Sequence, residues 1–353
     1  MGLFDSMLSS DESLIIDNTP LDFDYVPKLI KYRENEQFAI AKCFKPLFNN
    51  RTGRNMLVYG PPGVGKSVAL KNVITELETE TDAINIFYVN CWQHNTTYKI
   101  LIEISNIFGY HFTQNKKTIE LYKLLQEKIG DKNCIFIFDE IDRVKDKDFL
   151  YFILEKIIKK SIILITNYPS WLKDLDKRVK SRLTPELLEF KDYNKKEITG
   201  ILLERRDHAF SLNTWQEDAF SSIIEKTYEI NDIRSGLFLM REAGLNAEEK
   251  SSRKIIKEHV EKALSKLEDF TIKKADSLDE ETKFIFDIIK DNSALKIGDL
   301  YKIYQEKKGE SASSYKTFQR KIVKLAEGKF VTLTKQTGKG GNTTIVDVIG
   351  KKY

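Results

Sequence analysis

Asn55-Met56-Leu57-Val58-Tyr59-Gly60-Pro61-Pro62-Gly63-Val64-Gly65-Lys66-Ser67-Val68 runs from an apolar stretch through a glycine-rich turn into a helix-spaced segment that reaches Glu78. The apolar stretch reads as a short strand, and Gly60 to Ser67 matches the GxxxxGK[ST] spacing in full. Such a turn cradles phosphates: glycines let backbone N–H groups wrap the oxygens, and the following helix presents the positive end of its dipole. Lys66 then neutralises β- and γ-phosphate oxygens of ATP, Ser67 holds Mg²⁺, and Gly60, Pro61, Pro62, Gly63, Val64, Gly65 and Val68 complete the loop around ATP or ADP. A chance glycine turn beside a lysine is the plain alternative. The strand before it and the helix after it weigh against that alternative.

Cys134-Ile135-Phe136-Ile137-Phe138-Asp139-Glu140 is a second apolar run, ending in two carboxylates. An acid at the C-terminal tip of such a strand meets the metal of a nucleotide site. Asp139 is therefore expected to hold the Mg²⁺ water shell, and Glu140 to orient and deprotonate an attacking water. A solvated acidic turn is the alternative. The next strand, Ser161 to Thr166, leads to Asn167, whose amide suits the same water. Arg178 and Arg182 follow in a basic segment, where each either ends a surface helix or reaches a neighbouring subunit's nucleotide as a finger. Arg234 opens a later helix from which it can close onto the γ-phosphate.

Outward from these motifs, strands alternate with helices: strand Ile84 to Asn90, helices Thr97 to Phe108 and Thr118 to Ile129, then the Cys134 strand, helix Asp148 to Ile158 and the Ser161 strand. This order implies right-handed crossovers and a parallel sheet covered on both faces, an α/β layout over residues 25–191. Residues 1–24 are polar and acidic without periodicity and read as a loose N-terminal arm. Residues 192–267 show only helical spacing, an all-α lid. The polar stretch 268–279 suits a linker.

Residues 280–353 read as three helices and a β-hairpin, the pattern of a winged helix-turn-helix. A helix from Ser314 to Ala326 buries Phe318, Ile322 and Leu325, which leaves Lys316, Gln319 and Arg320 outward as long donors suited to a major groove. The hairpin, Phe330 to Lys335 and Thr343 to Ile349, is expected to carry Lys339 on a flexible glycine-rich tip, Thr337 to Asn342, that meets phosphates or a minor groove. Docking of a protein is the alternative use of such a module.

Composition agrees with a folded protein. The 353 residues are 41% hydrophobic and 31% charged, with a net charge of +4, too small to argue for nucleic acid by itself. The charge is uneven, however, and the C-terminal stretch is rich in Lys and Arg. Three separated cysteines, Cys43, Cys91 and Cys134, suggest neither zinc nor disulfides and suit a reducing cytoplasm. No apolar run approaches the roughly 20 residues that span a bilayer, so no membrane partner is expected.

Taken in order, Tyr25-Val26-Pro27, Arg33-Glu34, the phosphate loop, Tyr88-Val89-Asn90, Phe138 to Asp142, Arg178 to Leu183, Asp232-Ile233-Arg234 and the terminal module resemble AAA+ ATPases of the archaeal origin-recognition and helicase-loader type, over most of the chain. The resemblance implies that Tyr25, Val26 and Pro27 border the adenine, that Asn167 is sensor 1 and Arg234 sensor 2, and that Arg182 is the arginine finger with Arg178 as runner-up. It also implies that the helix Thr97 to Phe108 lies where the family carries a DNA-touching insertion, although a plain packing helix fits that segment equally well. The implied function is a nucleoid-associated replication initiator with weak, regulatory ATP hydrolysis. It would bind double-stranded origin DNA, recruit an MCM-type helicase, and associate with itself or with sibling initiators. The alternatives are a DNA-binding regulator whose nucleotide is structural, and a mobile-element ATPase.

Overall fold

Alternating apolar residues build the first of two units, Val26–Asp192. The computed structural model describes residues 13–113, 115–275, 279–292, 294–327, 330–338 and 341–348. Strands β1 (Met56–Tyr59), β2 (Ile84–Asn90), β3 (Asn133–Asp139), β4 (Lys160–Thr166) and β5 (Glu186–Glu189) pair in parallel in the order β2-β3-β4-β1-β5. Because side chains alternate along a strand, Phe136 and Phe138 face one core with Phe87, Val89 and Leu164, while Ile135 and Ile137 face another with Val58, Ile163 and Ile165.

Helices α1 (Glu34–Phe44) and α2 (Lys66–Glu80) cover the second face through Ile40, Phe44, Leu70 and Val73. On the other face lie α3 (Thr97–Ile107), α4 (Thr118–Ile129), α5 (Asp148–Lys156) and α6 (Lys177–Leu183). One side of α3 is packing surface, since Ile100, Leu101 and Ile104 are buried.

The strand order positions the site. β4 lies between β3 and β1, so neighbouring strand tips about 4.8 Å apart carry Asp139, Asn167 and Gly60. The sequence reading missed β5. Its Glu-Leu-Leu-Glu is short and mostly exposed at the sheet edge, and only pairing with β1 identifies it.

The second unit contains α7 (Lys195–Ala209), α8 (Glu217–Ile230), α9 (Ile233–Glu249) and α10 (Lys257–Ala275) around a core that includes Leu202, Phe220, Ile223, Leu239 and Met240. Asn194 caps α7 by accepting from Glu197 N at 3.0 Å while Glu197 accepts from Asn194 N at 2.8 Å, and Asp232 caps α9. Two expectations are corrected here. The arm is not loose from residue 13 onward, because Leu14, Ile15 and Leu21 are buried in the lid core. Its start is anchored by the Glu248 carboxylate, which accepts from Ser13 Oγ at 2.7 Å and Leu14 N at 2.8 Å. The supposed linker is helical through Ala275 as the end of α10, since a polar composition does not oppose helix when no Gly or Pro interrupts it.

Gly244 on α9 makes room for that anchored segment. A Cβ there would lie 2.9 Å from Ile15 Cδ1 and 2.8 Å from a Phe210 ring carbon. Gly244→Ala is expected to destabilise the lid by about 1–3 kcal/mol, the usual cost of overpacking. Urea unfolding followed by tryptophan fluorescence checks this, because Trp215 packs edge-to-face against Phe210. Adding Ile15→Ala should restore part of the loss, and strict additivity of the two changes would refute the contact.

The C-terminal part holds α11 (Glu280–Asp291), α12 (Ile297–Lys308), α13 (Tyr315–Glu327) and an antiparallel sheet of β6 (Leu295–Lys296), β7 (Val331–Gly338) and β8 (Gly341–Val348), ordered β6-β8-β7. Phe318, Ile322 and Leu325 of α13 pack against Ile285, Ile289 and Tyr304. The hairpin strands run further than the sequence suggested, to Gly338 and from Gly341. Lys339 lies outside the described residues.

Glu281 ties three elements of this part together. It accepts from Tyr304 Oη at 2.5 Å and from Ser313 Oγ, and Lys321 Nζ is 3.1 Å away. The Ser313 and Tyr304 bonds hold its carboxyl down at about 2, below the ordinary 4.5. A carboxylate depressed in the folded state stabilises fully above its unfolded pKa and loses that contribution as pH falls through the folded one. The thermal-stability gap between the protein and Glu281→Gln should therefore be full above about pH 5 and close toward about pH 2. A gap independent of pH would show that the carboxylate charge contributes nothing.

Candidate nucleotide site

The loop between β1 and α2 has the backbone a phosphate cradle needs. Gly60, Gly63 and Gly65 adopt φ of 154°, 79° and 85°. A Cβ on Gly60 would lie 2.2 Å from the Phe190 carbonyl oxygen, so only glycine fits there. Lys66 Nζ donates to Gly60 O at 2.8 Å, Pro61 O at 2.7 Å and Asn167 Oδ1 at 2.8 Å, which gives each of its three protons an acceptor. Asn167, from the tip of β4, thus meets the loop directly and keeps its amide Nδ2 as a donor. Val64 is buried beneath the loop, and Val68 packs against the same core.

Asp139 is buried at the tip of β3, with its Oδ1 accepting from Glu140 N at 2.9 Å. Its Oδ2 accepts from the Tyr88 hydroxyl. Burial first, and the Asp139 carboxylate second, push the Tyr88 phenol far up, so it stays protonated. Glu140 follows with φ 54° and ψ 44°, a left-handed conformation that costs a non-glycine residue about 1–3 kcal/mol and recurs at functional sites. Asp142 turns away from this cluster and accepts from Thr166 Oγ1 at 2.9 Å. The geometry brings together a glycine-rich loop at the start of α2, one lysine, a hydroxyl, a carboxylate and an amide. Such a set can hold a polyphosphate, and its oxygen donors suit a hard divalent cation.

Other predicted residues lie elsewhere. Arg178 and Arg182 are exposed on α6 and both lie against the Tyr151 ring, at 5.7 and 5.4 Å, beside a cleft of about 400 Å³ lined by Tyr122, Asp148 and Asp176 among others. Arg178 is also paired with Asp176 at 3.1 Å. Arg234 belongs to the second unit, where Asp232 receives its Nε at 3.1 Å and Nη2 at 2.8 Å in a fork. Tyr25 and Val26 fall on opposite sides of the unit boundary. Tyr25 lies under the Arg205 guanidinium at 4.6 Å, and Asn72 of α2 donates to Pro27 O at 3.2 Å. On α13, Lys316 and Arg320 are exposed and Gln319 half-buried, opposite the buried face.

Three contributors escaped the sequence reading as site residues. Tyr88 enters the sequence reading only within the Tyr88-Val89-Asn90 stretch, with no role attached. Tyr151 gives no signal. Arg33 is buried and braces the phosphate loop by donating from Nε to Val64 O at 3.2 Å while Nη2 reaches Lys191 O, and no spacing rule predicts that.

The chain matches the AAA domain over residues 49–168 and the Cdc6 AAA+ ATPase-type lid domain over residues 199–265, together more than half its length. It is 29% identical to ORC1-type DNA replication protein 2 of Methanothermobacter thermautotrophicus, over 96% of this chain and 93% of that one. The Aeropyrum pernix Orc1 protein, solved in complex with DNA, superposes with a TM-score of 0.69 at 25% identity and covers 96% of this chain and 95% of its own. The Aeropyrum pernix ORC2 protein, solved as ADPNP–ADP complexes, gives 0.71 at 17% identity over 96% and 94%, a likeness of fold. Among the described residues, no helix is long and apolar enough to cross a membrane.

Proposed function

Because the chain belongs to the AAA+ ATPases of the archaeal origin-recognition (Orc/Cdc6) type, we propose that it is a replication initiator that binds origin DNA and recruits the replicative helicase under ATP control. The observation that carries the ATP half is the convergence of Lys66, Asn167 and Asp139 on one loop whose glycines admit phosphates. The DNA half rests on the outward donors of α13 in a module read as a winged helix, and on the relationship to a protein solved with DNA.

In this reading Lys66 exchanges its loop carbonyls for β- and γ-phosphate oxygens, and the loop N–H groups share their charge. Ser67 and Asp139 hold Mg²⁺, which when bound neutralises phosphate charge. Glu140 takes the proton of the attacking water, and Asn167 orients that water from the other side. Tyr25, Val26 and Pro27 border the adenine. Arg234 supplies a lid charge whose aim is set by Asp232, and Arg182, or Arg178, acts on a neighbouring subunit's nucleotide. Hydrolysis is slow until that arginine arrives, since such a finger contributes about 10³–10⁵-fold in related nucleotide switches. Self-association or sibling initiators on DNA would bring it.

The test is assembly of MCM-type helicase rings on a plasmid that carries the source chromosome's origin. Loading that requires this protein and ATP is the expected result. DNA binding without loading would reduce the protein to a regulator.

A further inference from the structure

We propose that Tyr88 is a positioning residue of the metal site: its phenol holds Asp139 Oδ2 and orients that carboxylate toward the cation. This rests on the Mg²⁺–ATP reading of the site. The sequence puts Tyr88 on the face of β2 that packs with Val58, Ile137 and α2, two residues before Asn90, which lies beside Asp139. Lys71 of α2 sits 5.9 Å above the ring, so the phenol is held between the sheet and the helix that begins at the phosphate loop. Its hydroxyl donates to Asp139 Oδ2.

A phenol has one proton to donate, and here it goes to Asp139 Oδ2, which leaves the remaining lone pairs of that carboxylate for a cation. Asp139 Oδ1 is already fixed by Glu140 N, so the phenol completes the orientation of the carboxylate. Groups that orient metal ligands in this way typically account for about 10–100-fold in metal affinity.

The test uses the full chain and Tyr88→Phe, which keeps the ring and removes the hydroxyl. Binding of a fluorescent ATP analogue is measured in EDTA and across a Mg²⁺ titration. The expected result is unchanged affinity in EDTA, which also reports an intact fold, with the Mg²⁺ half-saturation point raised about 10–100-fold. An unaltered Mg²⁺ midpoint overturns the proposal, as does equal weakening with and without Mg²⁺, which marks a packing role only. If the parent protein's own affinity ignores Mg²⁺, the metal-site reading fails and takes the proposal with it.

Discussion

Glu140→Gln should bind ATP as the parent does and hydrolyse it about 10²–10⁴-fold more slowly, the range for loss of a general base. Glutamine keeps the size and the polar contacts of the side chain, and the left-handed turn at φ 54° that aims residue 140 is a backbone property. Asp139 and Lys66 are untouched, so the groups read as holding metal and phosphate stay in place. Only the capacity to take a proton is lost. Single-turnover hydrolysis beside equilibrium ATP binding separates the two effects. A parent-like rate would remove Glu140 from the chemistry and return it to a solvated acidic turn.

Lys66→Ala should weaken ATP binding at least about 100-fold, because two charge-assisted bonds to phosphate oxygens contribute about 1.5–3 kcal/mol each. The protein should still fold. Lys66 is buried, but its partners are two loop carbonyls and the Asn167 amide, which water can satisfy. Isothermal titration with ATP and with ADP measures the effect. ADP, lacking the γ-phosphate, should lose less. Equal ATP affinity in the variant and the parent would mean that the loop does not bind phosphate through this side chain.

What could be read from the sequence followed local physics. The phosphate loop, the β3 carboxylates and the helices of the lid announced themselves because spacing and side-chain chemistry lie within a dozen residues of one another. Features that depend on distant partners were silent. β5 needs β1 to be recognised, and residues 14–21 need the lid core some 190 positions later. Tyr88 becomes a site residue only when the β2–β3 pairing sets it beside Asp139. Arg33 gains meaning through a carbonyl of the loop it supports. The polar run before the last module misled because composition distinguishes helix from linker poorly when breakers are absent. The flexible hairpin tip was overestimated for a related reason: Thr337 and Gly338 pair with Asn342 and Gly341 although glycine disfavours strands.

The account's central claim is that an ATP-bound protein reads particular duplex DNA through its C-terminal module. The most direct measurement compares binding to origin-containing and random duplexes across a salt series with ATP present, for the parent, Arg320→Ala and Lys339→Ala. The account predicts that the parent prefers the origin duplex and that Arg320→Ala loses about 1–3 kcal/mol of that preference. Lys339→Ala should weaken all duplexes alike and lower the salt slope by about one. Equal affinity for every duplex, unchanged by either substitution, would contradict it and leave the module as a protein-docking element.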